Sequence, residues 1–387
     1  MVLASLEMRK FVAPEFVIGR DARRLAGRYA KNFGAENVFV VTGPNIIRAG
    51  WVKDVTDSLG AEGVRYTIFS AITPNPRDYE VMNGAELYRQ AGCDAIVAIG
   101  GGSPIDCAKG IGIVVSNRKH ILTFEGVDTI PLPPPPLICI PTTAGTGADV
   151  SQFAIINDTG RKVKIAIISK KIVPDIALVD PVPLTSLTPE LTGQTGMDAI
   201  THSIEAYVSN ASSPVTDTLA LEAIVQMRDY LLLAQGNPER IEYRNQTLLG
   251  SLLGGLAFSN ASLGAVHAMA HSLGGFLDLP HGLCNAILLE PVIDFNFPAC
   301  PDRYEVIGKI LKRDSAGSSP DEIQQDVISA IRSLRESLGC TCKLSDMGVS
   351  KKDIHELAEK AKRDPCLATN PRKPTLGDIE RMYEQAL

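Results

Sequence analysis

The chain has 387 residues and a net charge of −6, from 38 Lys and Arg residues against 44 Asp and Glu residues. Apolar residues make up 45% and charged residues 21%, which is ordinary globular usage and excludes a disordered or collagen-like chain. A weakly acidic chain lacks the basic surface that nucleic acid or an anionic membrane requires, so neither is expected as a partner. The length predicts two or three domains, or one large one.

The cellular compartment of the protein is predicted from the first residues of the chain and from its cysteines. The first ten residues have an early acidic residue and no apolar core, so they do not resemble a secretory signal. Apolar runs are too short for a membrane-spanning helix. The eight cysteines are scattered without a C-x-x-C motif, which argues against a disulfide framework and a zinc ribbon. We therefore expect a reduced, cytoplasmic protein.

In the first half, short apolar runs alternate with helical patterns. Strands are predicted at 37–42, 64–69, 95–99 and 137–140, and helices at 46–59 and 78–91. This alternation is typical of β-α-β units and predicts an α/β domain with a mostly parallel sheet over residues 1–182. The four prolines at 133–136 are interpreted as a stiff connection into the last strand rather than a partner-binding site.

The character of the chain changes near residue 183, where β-branched runs become rare. Helical spacing is found in segments 188–209, 214–235, 241–259, 262–275, 302–312, 319–338 and 351–363. These segments predict an all-helical second domain over residues 183–387. No internal repeat or long linker separates it from the first domain.

Two glycine-containing loops follow predicted strands. Residues 100–106, GGGSPID, lie between a strand and a helix, where free backbone N–H groups and the helix dipole favour a phosphate. Residues 141–147, PTTAGTG, offer three threonine hydroxyls and two glycines. Each loop could instead be a simple strand connection without a ligand, and neither is a G-x-G-x-x-G fingerprint. Two such loops at the ends of neighbouring strands nevertheless indicate one binding crevice.

The six histidines are unevenly placed. His202 follows Asp198 by four residues, and His271 follows His267 by four, so each pair shares one helix face. His281 lies in a predicted turn, while the two remaining histidines are isolated and expected at the surface. A single histidine on an apolar helix is usually a core residue, but this set favours a divalent metal site. Imidazole and carboxylate suit Fe(II), Zn(II), Co(II) or Ni(II), and spacing alone does not decide which of the five candidates is spare.

Together these segments resemble the iron-dependent, group III alcohol dehydrogenases over essentially the whole chain. The resemblance rests on residues 100–109, 141–147 and 195–208, on the spacing His267-x3-His271-x9-His281, and on residues 364–372, DPCLATNPR. The primary-alcohol, methanol, lactaldehyde and 1,3-propanediol enzymes are the most similar types. It implies a Rossmann-like NAD(P)-binding domain, an all-helical metal-binding domain, and a homodimer or larger homo-oligomer.

The resemblance also implies residue roles. Asp198, His202, His267 and His281 would hold Fe(II), or Zn(II) with the same ligands, and His271 would relay a proton beside the nicotinamide. The implied contacts to NADP(H) or NAD(H) are Gly43, Asn75, Gly101, Gly102, Ser103, Asp106, Thr142, Thr143, Thr146, Lys162 and Leu184. The implied lining of the substrate end is Phe153, Phe258, Leu263 and Cys366, for which ordinary core packing is the alternative. The implied reaction is hydride transfer between nicotinamide C4 and a small primary alcohol or aldehyde.

The chain departs from the family pattern in two places. Relatives often have an aspartate after the second strand, where it binds the adenosine ribose, and here that position is Gly43. Loss of the carboxylate predicts that NADP(H) is accepted. Residues 147–151, GADVS, stand where relatives commonly have Gly-Ser-Glu, a departure at the nicotinamide and substrate end.

Two other classes of protein compete with this interpretation. One is a metal- and NAD-dependent lyase of the dehydroquinate-synthase kind, which resembles this fold but needs a basic pocket for an acidic substrate. The predicted metal segments are flanked mainly by Ala, Gly, Ser and Leu, which favours a small substrate of low charge. The other is a non-catalytic binder, which the complete set of candidate ligands argues against.

Overall fold

The computed structural model describes residues 10–312 and 319–387. The strands are β1 (Glu15–Ile18), β2 (Asn37–Thr42), β3 (Arg65–Phe69), β4 (Ala95–Gly100), β5 (Gly126–Val127), β6 (Leu137–Pro141), β7 (Phe153–Asp158), β8 (Val163–Ile168) and β9 (Ile176–Val179). Six of them form one sheet in the order β1-β9-β6-β4-β2-β3, and every neighbouring pair is parallel.

The helices lie between the first strands and then fill the second half of the described chain. Those of the first half are α1 (Ala26–Asn32), α2 (Pro44–Arg48), α3 (Trp51–Ala61), α4 (Asp78–Ala91) and α5 (Gly102–Asn117). Those of the second half are α6 (Pro189–Val208), α7 (Pro214–Gly236), α8 (Ile241–Ala261), α9 (Ala265–Leu277), α10 (His281–Asn296), α11 (Pro301–Lys312), α12 (Pro320–Ser337), α13 (Ile354–Lys362) and α14 (Leu376–Ala386).

The large sheet is covered on both faces, as expected for parallel strands. Every residue of β2 is buried, with Phe39 and Val41 packing into one apolar cluster and Val38 and Val40 into another on the opposite face. The period of two in a strand sends alternate side chains to opposite faces, so a continuous apolar run is what this position needs. The predicted fold class, a mostly parallel α/β sheet followed by an all-helical part, is confirmed. The division at residue 182 stays a prediction.

Three local predictions were wrong or incomplete. The single helix expected over 46–59 is two helices, because Gly50 takes a left-handed φ of 85° between α2 and α3. His281 is the first residue of α10 rather than part of a turn, since the turn is completed earlier, at Asp278 with φ 54°. No sequence pattern singled out the antiparallel pair β7–β8 or the last helix, α14.

No single helix among the described residues is long and apolar enough to cross a membrane. The pair α8 and α9 passes the same test of length and composition only when taken together, and its two members are bent by 100° at the break between them.

The fold places a crevice at the carboxyl ends of the central strands. Gly100 at the end of β4 is paired with Pro141 at the end of β6, so the two glycine-containing loops start side by side. The backbone N–H of Thr142 donates to the Gly100 carbonyl at 2.9 Å, which fixes one loop against the other. Open α/β sheets bind ligands at this edge.

Candidate active site

The first glycine loop leaves the start of α5 open to a ligand. Gly101 is the N-cap of α5 and has no side chain that could accept a hydrogen bond from the first turn. The first backbone N–H groups of α5 therefore point out of the helix end without a side-chain acceptor. Gly100 has φ 158°, and a β-carbon there would lie 2.6 Å from Pro104 Cγ. A β-carbon on Gly102 would lie 2.9 Å from Thr146 Cγ2. Glycine is therefore needed at positions 100 and 102, because a side chain there would collide with Pro104 or with the second loop. The bare backbone also leaves space for an anion at the start of α5.

The second loop supplies one buried hydroxyl that lacks a partner among the described residues, and the end of β2 supplies another. Thr142 is buried, and its Oγ1 has no hydrogen-bond partner among the described residues. The same holds for Thr42 Oγ1 at the end of β2. Thr143 packs against Gly101, where an added β-carbon would meet its side chain at 3.2 Å. Orphaned hydroxyls beside an open helix N-terminus fit the polar groups of a dinucleotide.

Asn75 connects the crevice to both halves of the chain. Its backbone N–H donates to Ser103 Oγ at 3.2 Å, and its Nδ2 donates to Asp278 Oδ1 at 2.8 Å. Lys164 Nζ donates to Asn75 Oδ1 at 2.6 Å. Asn75 holds a left-handed φ of 57°, which asparagine tolerates better than most residues. This bridge fixes the strand-side loops against the end of α9.

Four candidate metal ligands converge below the loops. Asp198 and His202 lie on α6, His267 lies on α9 and His281 begins α10. Asp198 Oδ1 is 3.7 Å from His202 Nε2, 3.6 Å from His267 Nε2 and 3.7 Å from His281 Nε2. One carboxylate oxygen facing three imidazole nitrogens at these separations is a donor set for a divalent cation.

The Nδ1 atoms, on the side of each ring away from Asp198, have different hydrogen-bond partners. His202 Nδ1 lies 3.1 Å from the Gly145 carbonyl, and His267 Nδ1 lies 2.6 Å from Glu205 Oε2. Each acceptor takes a hydrogen bond from Nδ1–H, so Nε2 is the nitrogen that faces Asp198 and that can ligate a metal. His281 Nδ1 is buried without a partner among the described residues. The donor set therefore fits a divalent metal.

Burial and the neighbouring charges shift the ligand pKa values. Burial lowers the pKa of His202 to about 4 even though Asp198 opposes this shift. Burial also lowers the pKa of His281 well below its usual value. For His267, Glu205 and Asp198 outweigh burial and raise the pKa to about 9. Two of the three imidazoles are thus neutral at pH 7 and ready to ligate.

His271 is held differently from the other three histidines. Its Nδ1 lies 2.9 Å from Asp364 Oδ2, and Asp364 Oδ1 accepts the backbone N–H of Cys366 at 2.8 Å. Burial would raise the pKa of Asp364, but His271 and the Cys366 N–H lower it, so the carboxylate is ionised and accepts a hydrogen bond from Nδ1–H of His271. The other nitrogen of His271 has no hydrogen-bond partner among the described residues, and the side chain lines the cleft beside His281.

The cleft of about 680 Å³, including space open to solvent, joins the loops and the histidines. Phe153, Phe258 and Leu263 line it beside the metal-binding candidates. The Phe258 ring stacks on His202 with centroids 4.3 Å apart, and Phe153 meets Phe258 at 5.5 Å. Cys366 is fully buried and adjoins Asp364 rather than the cleft wall.

The remaining sequence candidates lie in different places. Asp106 lines the cleft, and burial raises its pKa to about 6 against the effect of Lys109. Gly43 is the N-cap of α2, where an added β-carbon would meet only Pro104, at 3.9 Å. Leu184 is buried in the apolar cluster under the second loop. Lys162 is exposed, and its backbone carbonyl accepts a hydrogen bond from Lys360.

Sequence reasoning missed four residues of the site. Lys164, two positions from Lys162, is buried and lines the cleft. Glu205 and Asp364 hold the Nδ1 atoms of two histidines, and Asn285 Nδ2 donates to Asp198 Oδ1 at 2.6 Å. Asn285 is four residues after His281 on the same helix, which is the one spacing signal that could have found it.

Comparison with known proteins assigns the family. The family model described as iron-containing alcohol dehydrogenase matches residues 13–181, and the model of the C-terminal part of the Fe-containing alcohol dehydrogenase family matches residues 192–387. The chain belongs to the iron-containing alcohol dehydrogenases. Membership confirms the predicted family and the alcohol dehydrogenase or aldehyde reductase activity with iron as the family metal.

Relatives of this iron-containing alcohol dehydrogenase match along almost its entire length. It is 37% identical to the NAD-dependent methanol dehydrogenase of Bacillus methanolicus, covering 97% of this chain and 99% of the relative. It is 39% identical to alcohol dehydrogenase 4 of Schizosaccharomyces pombe, covering 99% and 90%. The crystal structure of a 1,3-propanediol oxidoreductase aligns with a TM-score of 0.95 at 35% identity, covering 98% of this chain and all of the other.

Proposed function

We propose that this enzyme interconverts a small primary alcohol and its aldehyde with NAD(P)(H), using a divalent metal held by Asp198, His202, His267 and His281. The observation that carries the proposal is the convergence of these four side chains at the floor of the cleft that both glycine loops enter. Fe(II) is the family metal, and the same ligands suit Zn(II). When bound, the metal polarises the substrate oxygen, and the nicotinamide supplies or accepts the hydride.

The loops are proposed to hold the dinucleotide. The N-terminus of α5, formed by Gly101, Gly102 and Ser103, faces the pyrophosphate, and the free hydroxyl of Thr142 supplies a further hydrogen bond. Thr146, Asp106 and Asn75 line the cleft, and Thr143 packs against Gly101. The buried Lys164 also lines the cleft and is proposed in place of the exposed Lys162. The name of the Bacillus methanolicus relative supports NAD(H) as a cofactor.

His271 is proposed as the proton carrier. Asp364 accepts a hydrogen bond from Nδ1–H and so favours the tautomer in which Nε2 carries the lone pair. Nε2 can therefore take the proton that an alcohol loses on oxidation and return it on reduction. The aromatic pair Phe153 and Phe258 excludes water around the reacting carbon.

The cleft wall supports a small substrate of low charge. Among the described residues that line the cleft, Lys164 is the only Lys or Arg, and its ammonium is already bound to Asn75. Phe153, Phe258 and Leu263 present apolar surface beside the candidate ligands. An acidic or phosphorylated sugar, as a lyase of the dehydroquinate-synthase kind would require, lacks counter-charges here.

NADP(H) is proposed as an accepted cofactor because of Gly43. The position carries no charge, and its surroundings leave room for a 2′-phosphate near the end of β2. Steady-state kinetics with both cofactors tests this. A catalytic efficiency with NADP(H) about a hundredfold below that with NAD(H), a difference near 2.7 kcal/mol in transition-state stabilisation, would refute it.

We further propose that the enzyme acts in the cytoplasm as a homodimer or larger homo-oligomer. All eight cysteines are free, as in a reducing compartment. The edge strand β1 exposes Phe16 and Ile18, with Phe11 also exposed just before it, which gives a second copy an apolar edge to cover. Sedimentation velocity of the purified protein tests the oligomeric state, and a monomer at micromolar concentration would contradict it.

Two histidine variants test the metal site and the proton carrier. In His267→Ala we expect loss of bound metal and of NAD(P)H consumption, followed as absorbance at 340 nm on adding aldehyde. In His271→Ala we expect full metal content, measured by elemental analysis, with an altered pH dependence of turnover. A metal-free His271 variant, or a fully loaded His267 variant, would show that the ligand assignment is wrong.

A further inference from the structure

The three imidazoles that face Asp198 differ in what holds their second nitrogen. His267 is held by the carboxylate of Glu205, His202 by the Gly145 carbonyl, and His281 by no described residue. Their Nε2 atoms are nevertheless at nearly the same separation, 3.6 or 3.7 Å, from Asp198 Oδ1. The three histidines therefore differ in the hydrogen bonds that support them and not in their distance from Asp198.

Glu205 is itself held on both oxygens. Oε2 lies 2.6 Å from His267 Nδ1, and Oε1 accepts the backbone N–H of Val266 at 2.7 Å. The side chain is 3% exposed, and Gly264 makes room for it, since a β-carbon there would lie 2.9 Å from Oε1. A buried carboxylate with both oxygens engaged cannot rotate without losing a hydrogen bond.

These contacts determine the direction of the His267 lone pair. Glu205 can accept but not donate when ionised, so Nδ1 of His267 keeps its proton and Nε2 is the nitrogen that gives its lone pair to a metal. We propose that Glu205 is a positioning residue that makes His267 the most firmly held metal ligand, whereas His281 is the most loosely held. The inference rests on the proposed ligand set.

His281 is the opposite case. Its side chain is 25% exposed, against 1% for His267, and it is the first residue of α10, directly after a loop. No described residue accepts a hydrogen bond from its Nδ1, and the ring is contacted instead by Asn285 Nδ2, 3.2 Å from Nε2, and by the His271 ring, which stacks on it with centroids 5.5 Å apart. We expect the metal to be exchanged by release from His281 first.

The chain offers a matched control for Glu205. Asp364 also binds a histidine Nδ1 with one oxygen and a backbone N–H with the other, at 2.9 and 2.8 Å. Its histidine, His271, is not among the proposed ligands. Asp364→Asn therefore makes the same chemical change as Glu205→Gln on an imidazole outside the proposed ligand set.

The test measures metal affinity in the two variants. A carboxamide has one acceptor oxygen for two N–H donors, so Glu205→Gln must lose the contact to His267 or to Val266. We expect Glu205→Gln to raise the dissociation constant for Zn(II) or Co(II), measured by chelator competition, by about 10- to 100-fold. The visible spectrum of the Co(II)-loaded protein should change with it. Asp364→Asn should keep the dissociation constant within about threefold of the wild type and should leave the spectrum unchanged.

The melting temperature of the metal-free proteins separates positioning from folding. If Glu205→Gln does not fold, Glu205→Asp provides the same comparison, because it keeps the charge but withdraws it from His267. Equal metal affinities in the Glu205 and Asp364 variants, or a wild-type affinity in the Glu205 variant, would overturn the inference. Metal retained by His267→Ala would instead overturn the proposed ligand set.

Discussion

Gly147 is the residue at which the second loop touches the helical half most closely. It has a left-handed φ of +57°, and a β-carbon on it would lie 2.6 Å from Gly255 Cα and 3.0 Å from Phe258 Cε1. In Gly147→Ala the left-handed conformation costs about 1–2 kcal/mol. The overpacking costs about 1–3 kcal/mol more, because the closest atom belongs to backbone that cannot rotate away. We expect a loss of about 2–5 kcal/mol of unfolding free energy.

The same substitution disturbs the site, because loop and ligands are connected. The Gly145 carbonyl holds His202 Nδ1 at 3.1 Å, and Phe258 stacks on the other side of that ring. Moving the loop away from α8 pulls this carbonyl from His202 and shifts Thr146 in the proposed cofactor wall. We therefore expect weaker metal and cofactor binding together with the loss of stability.

Thermal melts of metal-loaded and metal-free protein check the prediction. At about 2–4 °C per kcal/mol, the melting temperature of Gly147→Ala should fall by about 4–20 °C. Gly236→Ala is the control, since a β-carbon at Gly236 meets nothing within 4 Å and a helical alanine is favoured over glycine. A Gly147→Ala melt within about 1 °C of the wild type would refute the packing argument.

Three further predictions concern cofactor choice, metal and the cleft wall. Gly43→Asp should fold normally, since only Pro104 is near, and should lower catalytic efficiency with NADP(H) at least about tenfold relative to NAD(H) by charge repulsion; an unchanged cofactor ratio would place the 2′-phosphate elsewhere. Chelation should destabilise the loaded enzyme by about 2.7 kcal/mol when free metal had been 100 times the dissociation constant, and reloading should reverse the shift in melting temperature; an unchanged melt after verified metal removal would contradict it. Lys109→Met should cost about 2–5 kcal/mol, because the Lys109 ammonium donates to the carbonyls of Ser151 and Phe153 at 2.8 Å each. The KM of the Lys109→Met variant for aldehyde should rise more than its KM for cofactor, because Ser151 and Phe153 line the cleft. Equal rises of the two KM values in steady-state kinetics would argue against a role of Lys109 in shaping the substrate end.

Local patterns were sufficient to predict the framework of the fold. The fully buried strands β2 and β4 are continuous apolar runs, and helices such as α4 and α6 begin and end within about one residue of their predicted bounds. Short-range periodicity determines these elements, so the sequence carries the information directly. The antiparallel pair β7–β8 escaped prediction, although its strands have six residues each as β2 and β4 do, because it is defined by the pairing of the two strands with each other.

The spacing of the histidines could not decide which of them bind the metal. Spacing showed that Asp198 and His202 share a helix face and that His267 and His271 do, but five candidates competed for about four places. In the tertiary structure, Asp198 faces His202, His267 and His281, while His271 is paired with Asp364, 93 residues away. That distinction depends on how α6, α9 and the tail pack, which no local pattern encodes.

By itself the sequence determined the fold class, the two loops at the sheet edge and the residue types for metal and nucleotide, since helix period and turn chemistry are local properties. Only the tertiary structure decided which partner each side chain has. Glu205 is 62 positions from His267, and Lys164 is 89 from Asn75, yet each pair is 2.6 Å apart. A buried charge is stable only beside a partner, and the packing of distant helices and strands supplies that partner.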